Sequence, residues 1–118
     1  MKKLLFLFSF TLILISCEKW PDFLIPSSEV PRWLKERIAH DEKILNSTPQ
    51  SGLEFSAWIR YKWNDEYFFE YRNGLSSAGP EKYTYTGDKM TLNQEYLNFE
   101  KEKCCKEIVW KTAGYIDY

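Results

Sequence analysis

Residues 53–72, LEFSAWIRYKWNDEYFFEYR, decide the fold of this chain. Up to Trp63, apolar residues mostly alternate with polar ones, the period of two that is typical of a half-buried β-strand. Residues 64–66 then form a turn, and the alternation continues over residues 67–72. The segment therefore predicts a β-hairpin, in which a three-residue turn pairs Trp63 with Tyr67.

The apolar pattern also predicts the register of this hairpin. Only a register in which the numbers of two paired residues add up to an even number keeps the apolar residues of both strands on one face, because a slip of one residue would invert one strand. A three-residue turn gives such a register. This register places Arg60 opposite Glu70 as an ion pair. It also places Trp58 opposite Arg72 as a cation–π pair, and each contact is worth about 0.2–1 kcal/mol. Pairing Trp58 with Glu70 loses both contacts, so we predict the first register.

Residues 28–46 have the pattern of an amphipathic helix. Ser28 is a suitable N-cap, and Pro31 is tolerated in the first turn because early amides lack helical partners. Positions three or four residues apart form one face. These positions are Val30, Leu34, Ile38, Asp41 and Leu45.

The rest of the chain predicts further strands and a second, shorter helix. A two-residue Gly87-Asp88 turn predicts a second hairpin, with Tyr83 paired with Leu92. We interpret residues 93–103 as a short helix capped by Asn93, and residues 107–111 as a last strand.

These elements predict an α+β fold. The N-terminal helix packs on a small antiparallel sheet built from two hairpins plus a C-terminal strand. A chain of 118 residues with 44% hydrophobic and 18% aromatic residues is long and apolar enough for one folded domain. We assign that single domain to residues 29–118.

The N-terminus has the pattern of an export signal. Lys2 and Lys3 precede an apolar run over residues 4–15, which is shorter than the roughly 20 residues that span a bilayer. The run ends in Leu-Ile-Ser-Cys at residues 14–17, which resembles the bacterial lipobox. The resemblance implies that residues 1–16 are a cleaved signal peptide and that Cys17 carries a covalent lipid anchor. The alternative is an uncleaved signal anchor with a buried Cys17.

Residues 17–28 form the lipidated cysteine and a tether with two prolines. From Glu18 to Ser28, eleven residues reach at most about 36 Å. We favour packing of the apolar tether side chains on the domain over insertion into lipid. Glu18 occupies the position at which an inner-membrane retention signal of the enterobacterial type has Asp. The absence of Asp there favours the outer membrane, and either leaflet of that membrane is compatible with the sequence.

The whole chain resembles a loose group of short, uncharacterised bacterial envelope lipoproteins. The likeness consists of the lipobox, a helix that opens on Pro31, Trp33 and Leu34, and Tyr/Phe-rich hairpins. It implies a small helix-plus-sheet domain and no particular activity.

Charge and motifs exclude several classes of function. A net charge of −1 offers no concentrated basic face for nucleic acid. No motif indicates a cofactor, and the cysteine and histidine spacing does not predict a metal site. We expect His40, the only histidine, to be a solvated surface residue.

Cys104 and Cys105 are adjacent, and three interpretations stay open. Either or both thiols pack as small hydrophobes, which we favour; they form a vicinal disulfide; or they have a redox or ligand role. Extended backbone points neighbouring side chains to opposite faces, which disfavours the disulfide.

Trp58, Arg60, Phe68 and Arg72 are the candidate interaction residues, because exposed aromatic residues and arginines on a rigid sheet anchor interfaces. Coverage of this face by the C-terminal segment is the alternative. We therefore expect a lipid-anchored, non-catalytic module that binds an unknown protein or glycan through the outer sheet face or residues 73–80, with an enzyme inhibitor as a variant. The alternatives are a thiol-dependent enzyme or redox protein that uses Cys104 and Cys105, and a passive structural lipoprotein.

Overall fold

The computed structural model describes residues 20–48, 50–75 and 79–117. The proposed signal peptide and Cys17 lie outside these ranges.

The described residues form two α-helices and one four-stranded antiparallel sheet. The elements in chain order are α1 (Arg32–Ser47), β1 (Ser56–Trp63), β2 (Glu66–Asn73), β3 (Glu81–Tyr83), α2 (Gln94–Glu102) and β4 (Cys104–Lys111). The strand order in the sheet is β3-β2-β1-β4. The predicted α+β fold is confirmed.

The β1–β2 hairpin forms, but the predicted register is wrong by one residue. Trp63 pairs with Glu66, so the turn has only two residues. Asn64 and Asp65 both have positive φ, 53° and 62°. This is the backbone of the two-residue hairpin turns that match the twist of the strands, and Asn and Asp tolerate it better than most residues.

The two-residue turn changes every pair along the hairpin. Arg60 pairs with Phe69 rather than Glu70, and Trp58 pairs with Tyr71 rather than Arg72. The apolar sets of the two strands consequently lie on opposite faces of the sheet. The protein tolerates apolar residues on both faces because both faces are covered. The predicted register assumed a sheet with only one buried face.

One face of the sheet, here called the α1 face, carries Trp58, Phe69 and Tyr83 beneath helix α1. Trp33 of α1 packs on all three rings, with centroid distances of 5.7–6.0 Å. Leu34 and Ile38 are fully buried, and the indole N–H of Trp110 donates to the Glu42 carboxylate at 2.8 Å. Helix α1 is therefore held along most of its length.

Helix α1 begins later than predicted. Pro31 is its N-cap, and Ser28 instead lies in a short 3₁₀ turn over Ser27–Glu29. A residue that precedes proline avoids the helical region, and Val30 is extended with φ −98° and ψ 119°. The helix cannot continue back through Val30, so Ser28 cannot cap it.

The opposite face, here called the α2 face, carries Tyr61, Trp63 and Phe68. Phe99 of α2 is 1% exposed and packs on these rings with centroid distances of 5.1–6.2 Å. Asn93 accepts a hydrogen bond from the Tyr96 amide at 2.9 Å. The predicted helix and its cap are therefore confirmed.

The second predicted hairpin is wrong in its register and extent. Only β3 joins the sheet, and Tyr83 forms an isolated bridge with Lys89 instead of pairing with Leu92. The last strand, β4, starts at Cys104, before the predicted residue 107.

The segment before α1 is docked on the domain. The Leu24 amide donates to the Val109 carbonyl of β4 at 2.8 Å. Ile25 is buried and Phe23 packs on the same core, while the Leu24 side chain is 63% exposed. Packing of this segment was expected from the sequence; the hydrogen bond along the edge of β4 was not.

Candidate functional site

The candidate interaction residues do not form one exposed surface. Trp58 and Arg60 lie on the α1 face and are 0% and 3% exposed. Phe68 and Arg72 lie on the α2 face and are 7% and 9% exposed. The prediction of a shared surface is wrong, because the register separates the four residues and each pair is buried. Helices α1 and α2 cover Trp58 and Phe68. Arg72 lies 3.8 Å from Asp117, so the C-terminal segment covers part of the α2 face, as the alternative stated.

Arg60 has a structural role instead. Its guanidinium donates to Glu29 at 2.9 Å and to Glu107 at 2.6 Å, and it lies 4.0 Å from the centroid of the Tyr67 ring. These contacts fix the segment before α1 to β4.

Glu70, 1% exposed, is the centre of a buried charge network on the α2 face. The Arg72 guanidinium donates to Glu70 and also to the Tyr61 hydroxyl, the latter at 2.8 Å. The Lys82 ammonium lies 3.2 Å from Glu70 Oε1 and 2.9 Å from Glu100. Oε1 accepts no hydrogen bond of normal geometry from the described residues, so its contact with Lys82 is ionic.

The pKa directions in this network are those of structural ion pairs. Burial and the nearby Glu70 carboxylate raise the pKa of Tyr61. Burial alone would lower the pKa of Lys82, but hydrogen bonds to Glu100 and Tyr96 outweigh it and raise the pKa. Burial alone would raise the pKa of Glu100, but hydrogen bonds from Lys82 and Lys103 outweigh it and lower the pKa. A nucleophilic lysine needs a lowered pKa, and a carboxyl group that acts as a general acid needs a raised one. Lys82 and Glu100 show the opposite directions.

Cys104 and Cys105 form a vicinal disulfide, and both residues are exposed. The favoured interpretation as packed hydrophobes is therefore wrong. Cys105 has a φ of 68°, and the pairing of β4 with β1 shifts between Arg60 and Lys62. At this irregularity the backbone is not extended, so neighbouring side chains are no longer forced to opposite faces.

A concave apolar surface, here called the loop-end cleft, lies where β2 ends. Its volume is about 280 Å³, and its lining residues are Phe55, Gly74, Leu75, Gly114, Tyr115 and Ile116. Leu75 is 65% and Ile116 is 79% exposed. A methyl group at Gly114 would collide with the Glu54 carbonyl, which fixes the path of the C-terminal segment along the cleft.

A larger and more polar groove, here called the tether groove, lies between the segment before α1 and the outer side of α1. Its volume is about 470 Å³, and its lining residues are Trp20, Pro21, Asp22, Ala39, Glu42, Lys43 and Asn46. The Trp20 ring centroid lies 5.5 Å from the Arg32 guanidinium and 5.8 Å from the Lys35 ammonium.

Sequence reasoning missed most of these features. Glu70, Lys82 and Glu100 come from three distant segments, so no local pattern groups them. Leu75 and Ile116 had a weak signal, since each is an apolar residue in a segment predicted to be loop or tail. His40 is exposed, as predicted.

Two absences concern only the described part of the chain. No group of three or more His, Cys, Asp or Glu side chains there is arranged to hold a metal ion. No helix there combines the length and apolarity that a bilayer crossing requires.

Comparison with known proteins gives no family for this chain. No family model, no curated protein and no solved structure matches it.

Proposed function

We propose that this chain is a lipid-anchored protein of the bacterial envelope, most consistent with the outer membrane, and that its domain is a non-catalytic binding module. The lipobox-like residues 14–17 support the anchor. The loop-end cleft carries the binding role, because Leu75 and Ile116 expose apolar surface beside a concave site. Part of the 73–80 loop, which the sequence indicated, forms this cleft.

The lining of the cleft favours a protein partner over a glycan. Leu75, Ile116 and Phe55 supply apolar surface, which suits the buried apolar anchor of a protein interface. Sugar hydroxyls need hydrogen-bond partners when they lose water. In one variant of this proposal the partner is an envelope enzyme, and this protein inhibits it by inserting Leu75 or Ile116 into the enzyme.

The charge network around Glu70 supports a structural role for its own residues. The raised pKa values of Tyr61 and Lys82 and the lowered pKa of Glu100 favour the protonated phenol, the ammonium and the carboxylate. These are the forms that the three groups have at neutral pH, and they match the charges of the ion pairs in which the network places them.

Photo-crosslinking in the native host tests this proposal. A photoreactive amino acid at Leu75 of the full-length protein should capture one partner protein, and Ile116→Asp should reduce that capture by tenfold or more, since about 1.4 kcal/mol gives a factor of ten. Leu92→Asp is the matched control, because Leu92 is 80% exposed and does not line the cleft.

The results separate the competing functions. Capture that is equal in the Ile116 and Leu92 variants would contradict a role for the cleft. Recovery of a polysaccharide would favour the glycan alternative. The absence of any captured partner would favour a passive structural lipoprotein.

The exposed disulfide favours thiol chemistry as a second candidate function. A dithiol donor would transfer two electrons and two protons to Cys104–Cys105, giving two thiols and a disulfide on the donor. The double variant Cys104→Ser, Cys105→Ser tests this role. A host phenotype that matches a deletion strain, with unchanged protein stability, would support it, and an unchanged phenotype would exclude it.

A further inference from the structure

We infer that the domain lies directly on its bilayer, with the tether groove turned to the lipid headgroups and helix α2 turned away. This inference rests on the lipid anchor at Cys17 that is part of the proposed function. The domain would then have a fixed orientation on the membrane instead of moving freely at the end of a tether.

The tether is already docked on the domain at Trp20. The Leu24 amide is hydrogen-bonded to β4, and Ile25 and Phe23 pack on the core. Trp20 itself is partly buried and contacts the cations of α1. The spacer between lipid and domain is thus the short run from Cys17 to Trp20, rather than the whole segment to residue 28.

The run from Cys17 to Trp20 is short compared with the thickness of the domain. Three residues, from Cys17 to Trp20, span at most about 11 Å when fully extended. The domain has three layers, and a helix with its side chains is about 10 Å across. Two helical layers with a sheet between them are therefore roughly 25–30 Å thick. A point within about 11 Å of the anchor must belong to the side that faces the membrane, so α2 cannot be that side.

The surroundings of Trp20 suit the level of the lipid headgroups. Tryptophan favours the level of the lipid headgroups, where its ring is in apolar surroundings and its N–H stays hydrated. Near it, the cations Arg32 and Lys35 are accompanied by the acids Glu36 and Asp22. Because the charges nearly balance, the covalent anchor and not anionic lipid holds this side on the membrane.

Fluorescence quenching measures this orientation. Purified full-length protein is reconstituted in phosphatidylethanolamine–phosphatidylglycerol vesicles that carry a quencher at headgroup level. In a Cys104→Ser, Cys105→Ser background, a fluorophore is attached to Lys43→Cys on α1 or to Lys101→Cys on α2. Both positions are exposed lysines. We expect several-fold stronger quenching at position 43.

A spacer variant is the matched control. A Gly-Ser linker of about 20 residues, inserted before Trp20, spans about 25 Å on average, which is comparable to the thickness of the domain. Quenching at position 43 should fall to the level at position 101, while lipidation of Cys17 is unchanged.

Mass spectrometry of the same samples separates the two proposals. Equal quenching at both positions with lipid on Cys17 would overturn the orientation and leave the anchor standing. An unmodified Cys17 would overturn the anchor itself. If the Cys104→Ser, Cys105→Ser background does not fold, hydrogen exchange of the wild-type protein in vesicles and in detergent replaces the labels. Equal exchange at residues 20–25 in both would contradict the inference.

Discussion

The two faces of the sheet are covered by helices that are held in different ways. On the α1 face, Trp33 packs on three aromatic rings and the helix also buries Leu34 and Ile38. On the α2 face, Phe99 is the one buried residue of the helix, and polar contacts add to it. Glu100 pairs with Lys82 of the Glu70 network, and the Trp63 indole N–H donates to Glu102. Apolar burial grows in small steps with area, whereas a buried charge is costly as soon as its partner is lost. The α2 face should therefore be the more fragile one.

The substitution Glu70→Gln should give the largest loss. It leaves Arg72 and Lys82, 9% and 4% exposed, without their shared carboxylate. Removing one partner of a buried ion pair costs about 3–5 kcal/mol, and we expect about 4 kcal/mol in the free energy of unfolding, measured by urea denaturation.

Glu81→Gln is the control for that experiment. Glu81 pairs with Lys89, but both side chains are half-exposed, at 41% and 59%. Such surface pairs contribute about 0–1 kcal/mol. Similar losses for the Glu70 and Glu81 variants would show that burial of the network does not set its energetic role.

The next loss is predicted for Phe99→Ala. Truncation of a buried phenylalanine costs about 3–5 kcal/mol, and we expect the lower end, about 3 kcal/mol, because α2 can move into the space left behind. Native-state hydrogen exchange should show faster opening of α2 than of α1 in the variant. Leu97→Ala on the same helix, at a side chain that is 52% exposed, should change stability much less. Equal opening of both helices would contradict the comparison of the two faces.

The elements of this fold were predictable from the sequence, but their pairing was not. Alternation identified β1 and β2, and the three-to-four-residue period identified α1. The register depends on Asn64 and Asp65, whose positive φ angles form a two-residue turn. The prediction of a three-residue turn did not take these angles into account. The register depends also on α2, whose coverage of the second face no pattern within the hairpin reveals.

The prediction of the interaction residues was wrong for a related reason. Trp58 and Phe68 were assigned to one exposed face because the wrong register placed them there, and the structure buries them under different helices. Glu70 looked like a surface charge, since its partners Lys82 and Glu100 come from segments that only the folded chain brings together.

The helix caps sharpen the comparison at a smaller scale. Helix α2 is capped by the Asn93 side chain, whereas Pro31 precedes α1 without a side-chain cap. Asn93→Ala should cost about 1 kcal/mol, the usual value for such a cap. Ser28→Ala is the matched control, because serine is a residue type that often caps helices but Ser28 lies outside the helix. We expect no measurable change in the thermal unfolding temperature of this variant. A larger loss at Ser28 than at Asn93 would contradict the observed helix starts.

The smallest effect, and one of opposite sign, is predicted for Asp41→Asn on the α1 face. Asp41 is 9% exposed in an otherwise apolar stripe, and burial raises the pKa of its carboxyl. The charges of Arg37 and His40 and the nearby Trp58 indole offset only part of this; the indole N–H makes no hydrogen bond of normal geometry among the described residues.

Because the folded chain holds the Asp41 proton more tightly than the unfolded chain does, the charged carboxylate costs stability at pH 7, and this cost fades as the pH falls through the raised pKa. Asp41→Asn should therefore stabilise the fold at pH 7 by up to about 1 kcal/mol, and the two proteins should converge near the ordinary aspartate pKa of about 4. Urea denaturation at both pH values measures this. Glu36→Gln, at a 58% exposed position of α1, should show no such convergence. A variant that is less stable at pH 7 would mean that the Asp41 carboxylate is a partner the α1 face requires, and that this face too depends on a matched charge.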